Sequence, residues 1–178
     1  MDALRDRIPD YARDLRLNLS SVLTPQGAPG LSEAQLWMTA LASAIASRNA
    51  ELARAIEAAA TEKLEPVQAE AARAAAAIMG MNNVYYRFLH LVEDDEYAKL
   101  PARLRMNVIG SPGIDKADFE LMSLAVSAVN GCGKCVSSHE RILRQHNLGR
   151  EAVQSAVRIA SVIHAVAGVL DYETARAA

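Results

Sequence analysis

The chain contains only two cysteines, Cys132 and Cys135, and His139 follows the second by four residues. If Cys135 lies in a helix, His139 lies one turn later on the same face. An imidazole beside a thiol can accept its proton and leave a thiolate, the reactive form of cysteine. Cys132 is close enough in sequence to form a local disulfide with Cys135. The spacing therefore places a nucleophile, a base and a resolving thiol within eight residues.

Three simpler interpretations of the cysteine pair have less support. Structural zinc usually takes four ligands, often from a second Cys or His pair, but the chain has no second cysteine pair and its other histidines are scattered. A structural disulfide would close a loop too short to stabilise a 178-residue domain much. Inert buried cysteines are not expected among polar neighbours. We therefore interpret the pair as redox-active or peroxide-reactive.

Residues near the motif would favour the thiolate of Cys135. A helix that begins at the motif presents free N–H groups and partial positive charge. Lys134 adds a cation, unless it is only a solvated surface charge. Cys132, just before the helix, can attack a sulfenic acid on Cys135. Glu120 could orient His139 or exchange a proton with it. Spacing alone favours a plainer interpretation of Glu120, an exposed first-turn glutamate stabilised by the helix dipole.

Composition predicts one all-α domain. Hydrophobic residues make up 51% of the chain and aromatic residues only 4%, so the apolar content is aliphatic and small. The net charge of −2 predicts no nucleic-acid partner. We expect no membrane partner, because no apolar run approaches the roughly 18–20 residues that span a bilayer. No signal-peptide core is seen near residue 1. We therefore expect a cytoplasmic protein, where paired cysteines are usually redox-active.

Hydrophobic periodicity and capping residues predict seven helices. Ser32 and Asp115 are the predicted N-caps of two of them. The acidic segment 93–96 is predicted to be a solvated loop, and His164, in an apolar run, to be a core histidine. The predicted helices cover residues 2–22, 32–47, 50–63, 66–87, 115–129, 132–145 and 151–172.

A weak internal repeat suggests two related helical halves, about 31–92 and 112–174, within a single domain 1–178. The segment 38–45 aligns without a gap with 122–129, and Arg48 and Glu51 then occupy the positions of the two cysteines. Chance similarity between alanine-rich helices is the alternative. On the first interpretation, the chemistry is kept only in the second half.

The chain resembles the alkyl hydroperoxide reductase D (AhpD) family, within the carboxymuconolactone decarboxylase superfamily. The resemblance depends on the pattern E-x(11)-C-x-x-C-x-x-x-H, which begins at Glu120, and it extends over nearly the whole chain. The segments that carry it are Leu17–Ser21, Ala77–Arg87, Leu104–Asn107, Phe119–Leu121, Val129–Cys135 and Ser138–Glu140.

The resemblance implies an all-helical subunit that assembles as a homotrimer, and an antioxidant thiol peroxidase without metal or haem. It implies that Cys135 is peroxidatic and passes through a sulfenic acid, that Cys132 is its proton donor and disulfide partner, and that His139 and Glu120 relay protons. Electrons would come from a dihydrolipoamide-type dithiol on the lipoylated acyltransferase of a dehydrogenase complex. The implied partners are alkyl hydroperoxides and the peroxiredoxin AhpC.

One position departs from the family pattern. Well-known members carry histidine between the cysteines, where this chain has Lys134. An ordinary lysine keeps its proton near neutral pH, so we expect Lys134 to stabilise a thiolate by charge rather than to relay protons. Two other functions stay open: a non-enzymatic redox adaptor to AhpC, which needs the same dithiol, and a decarboxylase of the superfamily, which does not need the cysteines.

Overall fold

Every regular element of the protein is helical in the computed structural model, which describes residues 1–178. A 3-10 turn, Asp10–Ala12, follows the first α-helix. The predicted all-α fold is confirmed. The α-helices, in chain order, are α1 (Asp2–Asp6), α2 (Arg13–Val22), α3 (Glu33–Ala46), α4 (Ala50–Thr61), α5 (Pro66–Leu91), α6 (Asp95–Lys99), α7 (Asn107–Gly110), α8 (Lys116–Val129), α9 (Gly133–Gln145) and α10 (Arg150–Ala177).

Local sequence signals set where the main helices begin. Ser32 Oγ accepts a hydrogen bond from the backbone N–H of Gln35, and the Gln35 side chain accepts one from the N–H of Ser32. The Asp115 carboxylate caps α8 by accepting from the backbone N–H of Ala117. Pro66 occupies the first position of α5, where a helix needs no N–H. The caps predicted at Ser32 and Asp115 are confirmed.

Several helix boundaries differ from the prediction. The expected helix 2–22 divides into α1, the 3-10 turn and α2, because Pro9 cannot donate to a helical hydrogen-bond ladder. Helix α5 continues to Leu91 and α10 to Ala177, beyond the predicted ends. The acidic segment is not wholly a loop, since Asp94 caps α6 by accepting from the N–H of Glu96. The short helix α7 was not predicted.

The main core lies among α3, α5, α8 and α10. Helix α5 packs against both α3 and α8, and it buries Ala71, Ala72, Ala75 and Ala76. Small side chains let helices approach closely, so the predicted central place of α5 is confirmed. These alanines lie inside the protein and do not form an exposed apolar surface.

Helix α10 is the one helix whose length and composition match a membrane span. The sequence prediction that no segment approaches such a span is therefore wrong for α10. The helix packs against α2, α3 and α8, and it buries Ile159, Ile163, Val166 and Leu170 in the main core. Its apolar character is thus explained by packing within the chain.

A side-chain hydrogen bond joins the beginnings of α3 and α8. Nε2 of Gln35 donates to Oδ1 of Asp118 over 2.7 Å. Burial raises the pKa of the Asp118 carboxyl, the bond from Gln35 opposes that rise, and the nearby charge of Asp115 adds to it. Because the folded pKa is raised, the contribution of Asp118 to stability is full below the ordinary aspartate pKa and is lost as pH rises through the raised value.

Side-chain amides hold the end of α8 against α5. Nδ2 of Asn83 donates to Oγ of Ser127 over 2.8 Å, and Oδ1 of Asn83 accepts from Nδ2 of Asn130 over 2.9 Å. Arg87 also donates to the backbone carbonyl of Asn130, over 2.6 Å. Gly131 then turns the chain with a φ of +68°, a conformation that glycine adopts readily. Helix α5 thereby fixes the corner from which α9 begins.

We predict that Asn83→Ala destabilises the protein by about 2–4 kcal/mol, because Ser127 and Asn130 lose their partner and a cavity forms. Urea unfolding of the purified protein measures the change. The matched control is Asn18→Ala on the exposed face of α2, which should shift the free energy of unfolding by less than about 0.5 kcal/mol. Equal unfolding midpoints for the two variants would contradict this account of the corner.

Candidate active site

The cysteine motif lies at the corner between α8 and α9. Cys132 is the N-cap residue of α9, and its sulfur accepts a hydrogen bond from the backbone N–H of Cys135 over 3.3 Å. Cys135 lies in the first turn of that helix. The predicted helix that begins at the motif is therefore confirmed, and the helix N-terminus can favour an anionic sulfur.

The two cysteines are joined by a disulfide, with their Cα atoms 5.3 Å apart. They differ in access to solvent. Cys132 is 0% exposed, whereas Cys135 is 6% exposed and lines a surface cleft. A small molecule that enters the cleft therefore meets the sulfur of Cys135 and not that of Cys132.

His139, which is partly buried, pairs with the buried Glu120 between α9 and α8. Nδ1 of His139 lies 2.6 Å from Oε2 of Glu120. An ionised carboxylate only accepts hydrogen bonds, so beside an ionised Glu120 the imidazole carries its proton on Nδ1. Nε2 is then the ring nitrogen left for a thiol or a substrate. This arrangement can fix the orientation of the imidazole and exchange protons with the cleft, which His139 lines.

Glu120 is only 2% exposed, so the interpretation as an exposed first-turn glutamate is wrong. Helix α8 begins at Lys116, and residue 120 already lies in its second turn, on the side packed against α9. The residues Phe119 and Leu121 beside it are also buried. The sequence offered one sign of this, because a glutamate flanked by large apolar residues is seldom on a fully solvated segment.

Helix α5 and the segment at α7 form the wall of the cleft opposite α9. The cleft has a volume of about 330 Å³. The hydroxyl of Tyr86 donates to the sulfur of Met106 over 3.9 Å, which ties the two parts of this wall together. The residues that line the cleft are Met79, Asn82, Tyr86, Met106, Ile109, Lys134, Cys135, Ser138 and His139.

Lys134 lies exposed at the edge of this cleft and pairs with no carboxylate. It also borders a second depression, which no hydrophobic residue lines and which contains His90 and Arg141. The surface beside Cys135 is therefore cationic. Lys134 can act on the sulfur through charge, as the sequence suggested.

The sequence missed the wall of the cleft and misplaced one histidine. Met79, Asn82 and Tyr86 follow each other by three and four residues and so share one face of α5. That periodicity was readable, but it does not say which partner the face meets. His164 was predicted to be in the core and is instead exposed, beside Arg87 at another surface depression. No three His, Cys, Asp or Glu side chains lie together as metal ligands.

Comparison with known proteins places this site in a family. A model described as the carboxymuconolactone decarboxylase family matches residues 95–175, which include the cysteine motif. A protein named alkyl hydroperoxide reductase AhpD from Gluconacetobacter diazotrophicus is 59% identical over 171 residues, 96% of this chain and 92% of that protein.

Proteins of the same name from two other bacteria are similarly close. The one from Rhodospirillum centenum is 57% identical, and the match covers 98% of this chain and 92% of that protein. The one from Streptomyces coelicolor is 53% identical, and the match covers 100% of this chain and 98% of that protein. Because each relative is more than half identical over nearly its whole length, the chain belongs to the AhpD family, within the carboxymuconolactone decarboxylase superfamily.

Proposed function

We propose that the protein is an antioxidant alkyl hydroperoxide reductase that uses Cys135 as its peroxidatic thiol. The observation that carries this proposal is the position of Cys135, whose sulfur lines the cleft at the N-terminus of α9 while Cys132 is fully buried. The names of the relatives agree with the reaction class.

The proposed oxidative step breaks the O–O bond of the hydroperoxide. The Cys135 thiolate attacks the terminal oxygen, which becomes the oxygen of a sulfenic acid, and the alkoxide leaves and takes a proton to form the alcohol. The sulfur of Cys132 then attacks that of Cys135, and hydroxide leaves and is protonated to water. The product is the Cys132–Cys135 disulfide, the state described above.

His139 and Glu120 are proposed to move the protons of these steps. In the reduced enzyme, His139 Nε2 would accept the proton of the Cys135 thiol and later supply one to the leaving oxygen. Glu120 holds Nδ1 and stabilises the imidazolium that forms in between. Lys134 is proposed to stabilise the thiolate by its charge and not to relay protons.

An external dithiol must return two electrons to the disulfide. We propose a dihydrolipoamide-type dithiol on the lipoylated acyltransferase of a dehydrogenase complex, with no cofactor bound to the protein itself. One thiolate of the donor attacks Cys135, the more accessible sulfur, and Cys132 leaves as a thiolate. The second thiol of the donor then attacks the donor sulfur that is bonded to Cys135, which releases the Cys135 thiolate and the donor as an intramolecular disulfide.

Regeneration of the peroxiredoxin AhpC is proposed as a second use of the same dithiol. In that reaction reduced Cys135 attacks the AhpC disulfide, and Cys132 resolves the mixed disulfide. A redox adaptor without peroxidase activity would use only this route. The decarboxylase alternative has less support, because a lactone decarboxylation has no use for a disulfide at the end of the cleft. A cytoplasmic location accords with the need for a metabolic dithiol donor.

We also propose that the two halves of the internal repeat are structurally related and not similar by chance. The half 31–92 contains α3, α4 and α5, which have 14, 12 and 26 residues. The half 112–174 contains α8, α9 and most of α10, and these helices have 14, 13 and 28 residues. The same order of lengths supports two related halves within the single domain 1–178. Arg48 and Glu51 then mark the half without cysteines.

We predict that Cys135→Ser abolishes consumption of cumene hydroperoxide in the presence of dihydrolipoamide, because the nucleophile is lost. Cys132→Ser, the matched variant, should allow one turnover and accumulate a sulfenic acid on Cys135, since no resolving thiol remains. Dimedone trapping and mass spectrometry read out the modified residue. The two roles would be reversed if dimedone modified Cys132 in the Cys135→Ser variant and did not modify Cys135 in the Cys132→Ser variant. Turnover only when AhpC is added would favour the adaptor.

A second prediction concerns the activation of the thiol. His139→Ala should lower peroxide turnover by about 10²–10⁴-fold, because it removes the base and a positive neighbour of the thiolate. Glu120→Gln should give a turnover between those of wild type and His139→Ala, because it weakens only the orientation and the positive charge of the imidazole. Lys134→Arg should stay near wild type, and Lys134→Glu should slow alkylation at neutral pH by disfavouring the thiolate.

The measurement is the pH–rate profile of iodoacetamide alkylation of the reduced protein, alongside turnover. The control is His146→Ala, an exposed histidine at the far end of α9, which should leave both unchanged. An unaltered profile in His139→Ala would remove histidine as the activator and leave the helix N-terminus and Lys134 in that role.

A homotrimer is also proposed, as the family resemblance implies. The exposed apolar side chains concentrated from the second half of α5 to the end of α6 provide a surface for it, and we call them the α5–α6 patch: Val84, Phe88, Leu91, Tyr97 and Leu100. An apolar surface of this kind is typical of an interface between subunits.

We predict a mass of about three subunits of 19.2 kDa each by light scattering at micromolar concentration. Leu91→Arg within the α5–α6 patch, where the leucine is 68% exposed, should lower that mass. Leu17→Arg on α2, where the leucine is 58% exposed, is the matched control and should not. The mass of one subunit for the unmodified protein would rule out the trimer.

A further inference from the structure

Asn82 is a buried amide in the wall of the cleft that has no partner for its oxygen. The residue is 4% exposed, and its Oδ1 accepts no hydrogen bond from the protein. Its neighbour Asn83 uses both ends of its amide to hold the end of α8. A buried, unpartnered amide oxygen is unfavourable for folding, and its place in a cleft leaves it free to accept a hydrogen bond from a ligand.

The position of Asn82 sets it apart from the other buried side chains with unpartnered atoms. Thr39, Ser43 and Ser123 also have such oxygens, but none of them lines the cleft. Asn82 lies between Met79 and Tyr86 on the face of α5 that lines the cleft opposite Cys135 and His139. It is therefore the one unpartnered buried oxygen at the site of the chemistry.

The rest of this wall is apolar. Met79, Met106 and Ile109 line it, and the hydroxyl of Tyr86 is already directed to the sulfur of Met106. A ligand that suits the wall has an apolar body and one polar group that can donate a hydrogen bond. An organic hydroperoxide fits, since its only polar hydrogen is on the terminal oxygen, the atom that a thiolate attacks.

We propose that Asn82 binds the hydroperoxy group of the substrate and that the apolar wall binds its organic part. The inference rests on the proposed function and names how that same site holds its substrate. Oδ1 of Asn82 accepts the terminal O–H and thereby keeps that oxygen in the cleft beside Cys135. Met79, Met106 and Ile109 contact the alkyl or aryl group. The site thus separates the recognition of the –OOH group, common to all hydroperoxides, from that of the organic group.

The test compares two substrates and two positions. Asn82→Leu should lower kcat/KM by about threefold to tenfold for both cumene hydroperoxide and hydrogen peroxide, because both lose one hydrogen bond. Met106→Ala should lower it by about tenfold for cumene hydroperoxide only, because hydrogen peroxide has no organic group. A kcat/KM equal to that of wild type for both substrates in Asn82→Leu would overturn the proposal.

Two further readouts separate substrate binding from a structural role. Asn82→Leu should be at least as stable as wild type in urea, because it removes an unpartnered polar group. Its Cys135 should react at the wild-type rate with methyl methanethiosulfonate, which has no O–H or N–H to donate. The control Thr39→Val removes another buried, unpartnered oxygen outside the cleft and should leave kcat/KM unchanged. Asn82 would instead have a structural role if Asn82→Leu lowered the free energy of unfolding, or if it slowed the reaction of Cys135 with methyl methanethiosulfonate by the same factor as it slowed turnover.

A binding measurement distinguishes failure of this inference from failure of the proposed function. Cys135→Ser cannot reduce the peroxide, so NMR titration with cumene hydroperoxide reports binding alone. Binding that weakens when Asn82→Leu is added supports the inference even if wild type proves to have no turnover. Turnover by wild type together with binding that does not depend on Asn82 overturns the inference and leaves the function intact. Absence of both turnover and binding overturns both.

Discussion

The site depends on the tight corner between α8 and α9. Gly131 turns the chain with a positive φ, and Cys132 then caps α9 through its sulfur. This geometry places Cys135 in the first helical turn, His139 one turn further, and Glu120 on the adjoining helix within hydrogen-bond distance of the imidazole. The amide of Asn83 holds the corner from α5, so the helix that forms the opposite wall of the cleft also sets the position of the sulfur.

The polar side chains of this wall and corner differ in how many hydrogen-bond partners they have. The difference distinguishes side chains that hold the fold from those that are available to a substrate. Asn83 has partners at both ends and serves packing. Glu120 has one firm partner, His139, whose second ring nitrogen is left for the cleft. Asn82 has an oxygen with no partner at all. Of these three residues, only the one with the unpartnered oxygen, Asn82, lines the cleft, which is expected where a protein keeps hydrogen-bonding capacity for a ligand at some cost in stability.

The sequence predicted most of the fold and the centre of the site, because both depend on short-range rules. Caps at Ser32 and Asp115, helical periodicity and the motif spacing operate within a few residues, and they located α3, α8 and α9 closely. Burial of Glu120 was not recovered, since it depends on which side of α8 meets α9.

Long-range contacts also explain the other differences. The face of α5 that contains Asn82 follows the helical period, but only packing shows that it lies opposite the cysteines. The apolar neighbours of His164 suggested a buried position, whereas that side chain lies on the outer face of α10. A helical pattern gives the spacing of a face and not the identity of its partner.

The unequal burial of the two sulfurs gives one residue two tasks under the proposed mechanism. Peroxide and donor dithiol both arrive through the cleft, so both react with Cys135, and Cys132 exchanges only with Cys135. A sulfenic acid on Cys135 therefore has a resolving thiol at the N-cap of the same helix, and rapid disulfide formation limits further oxidation to sulfinic acid. In reduction, a donor thiolate attacks Cys135, and Cys132 leaves as a thiolate at the N-terminus of α9. The helix terminus thus favours an anionic sulfur in both directions, first as nucleophile and later as leaving group.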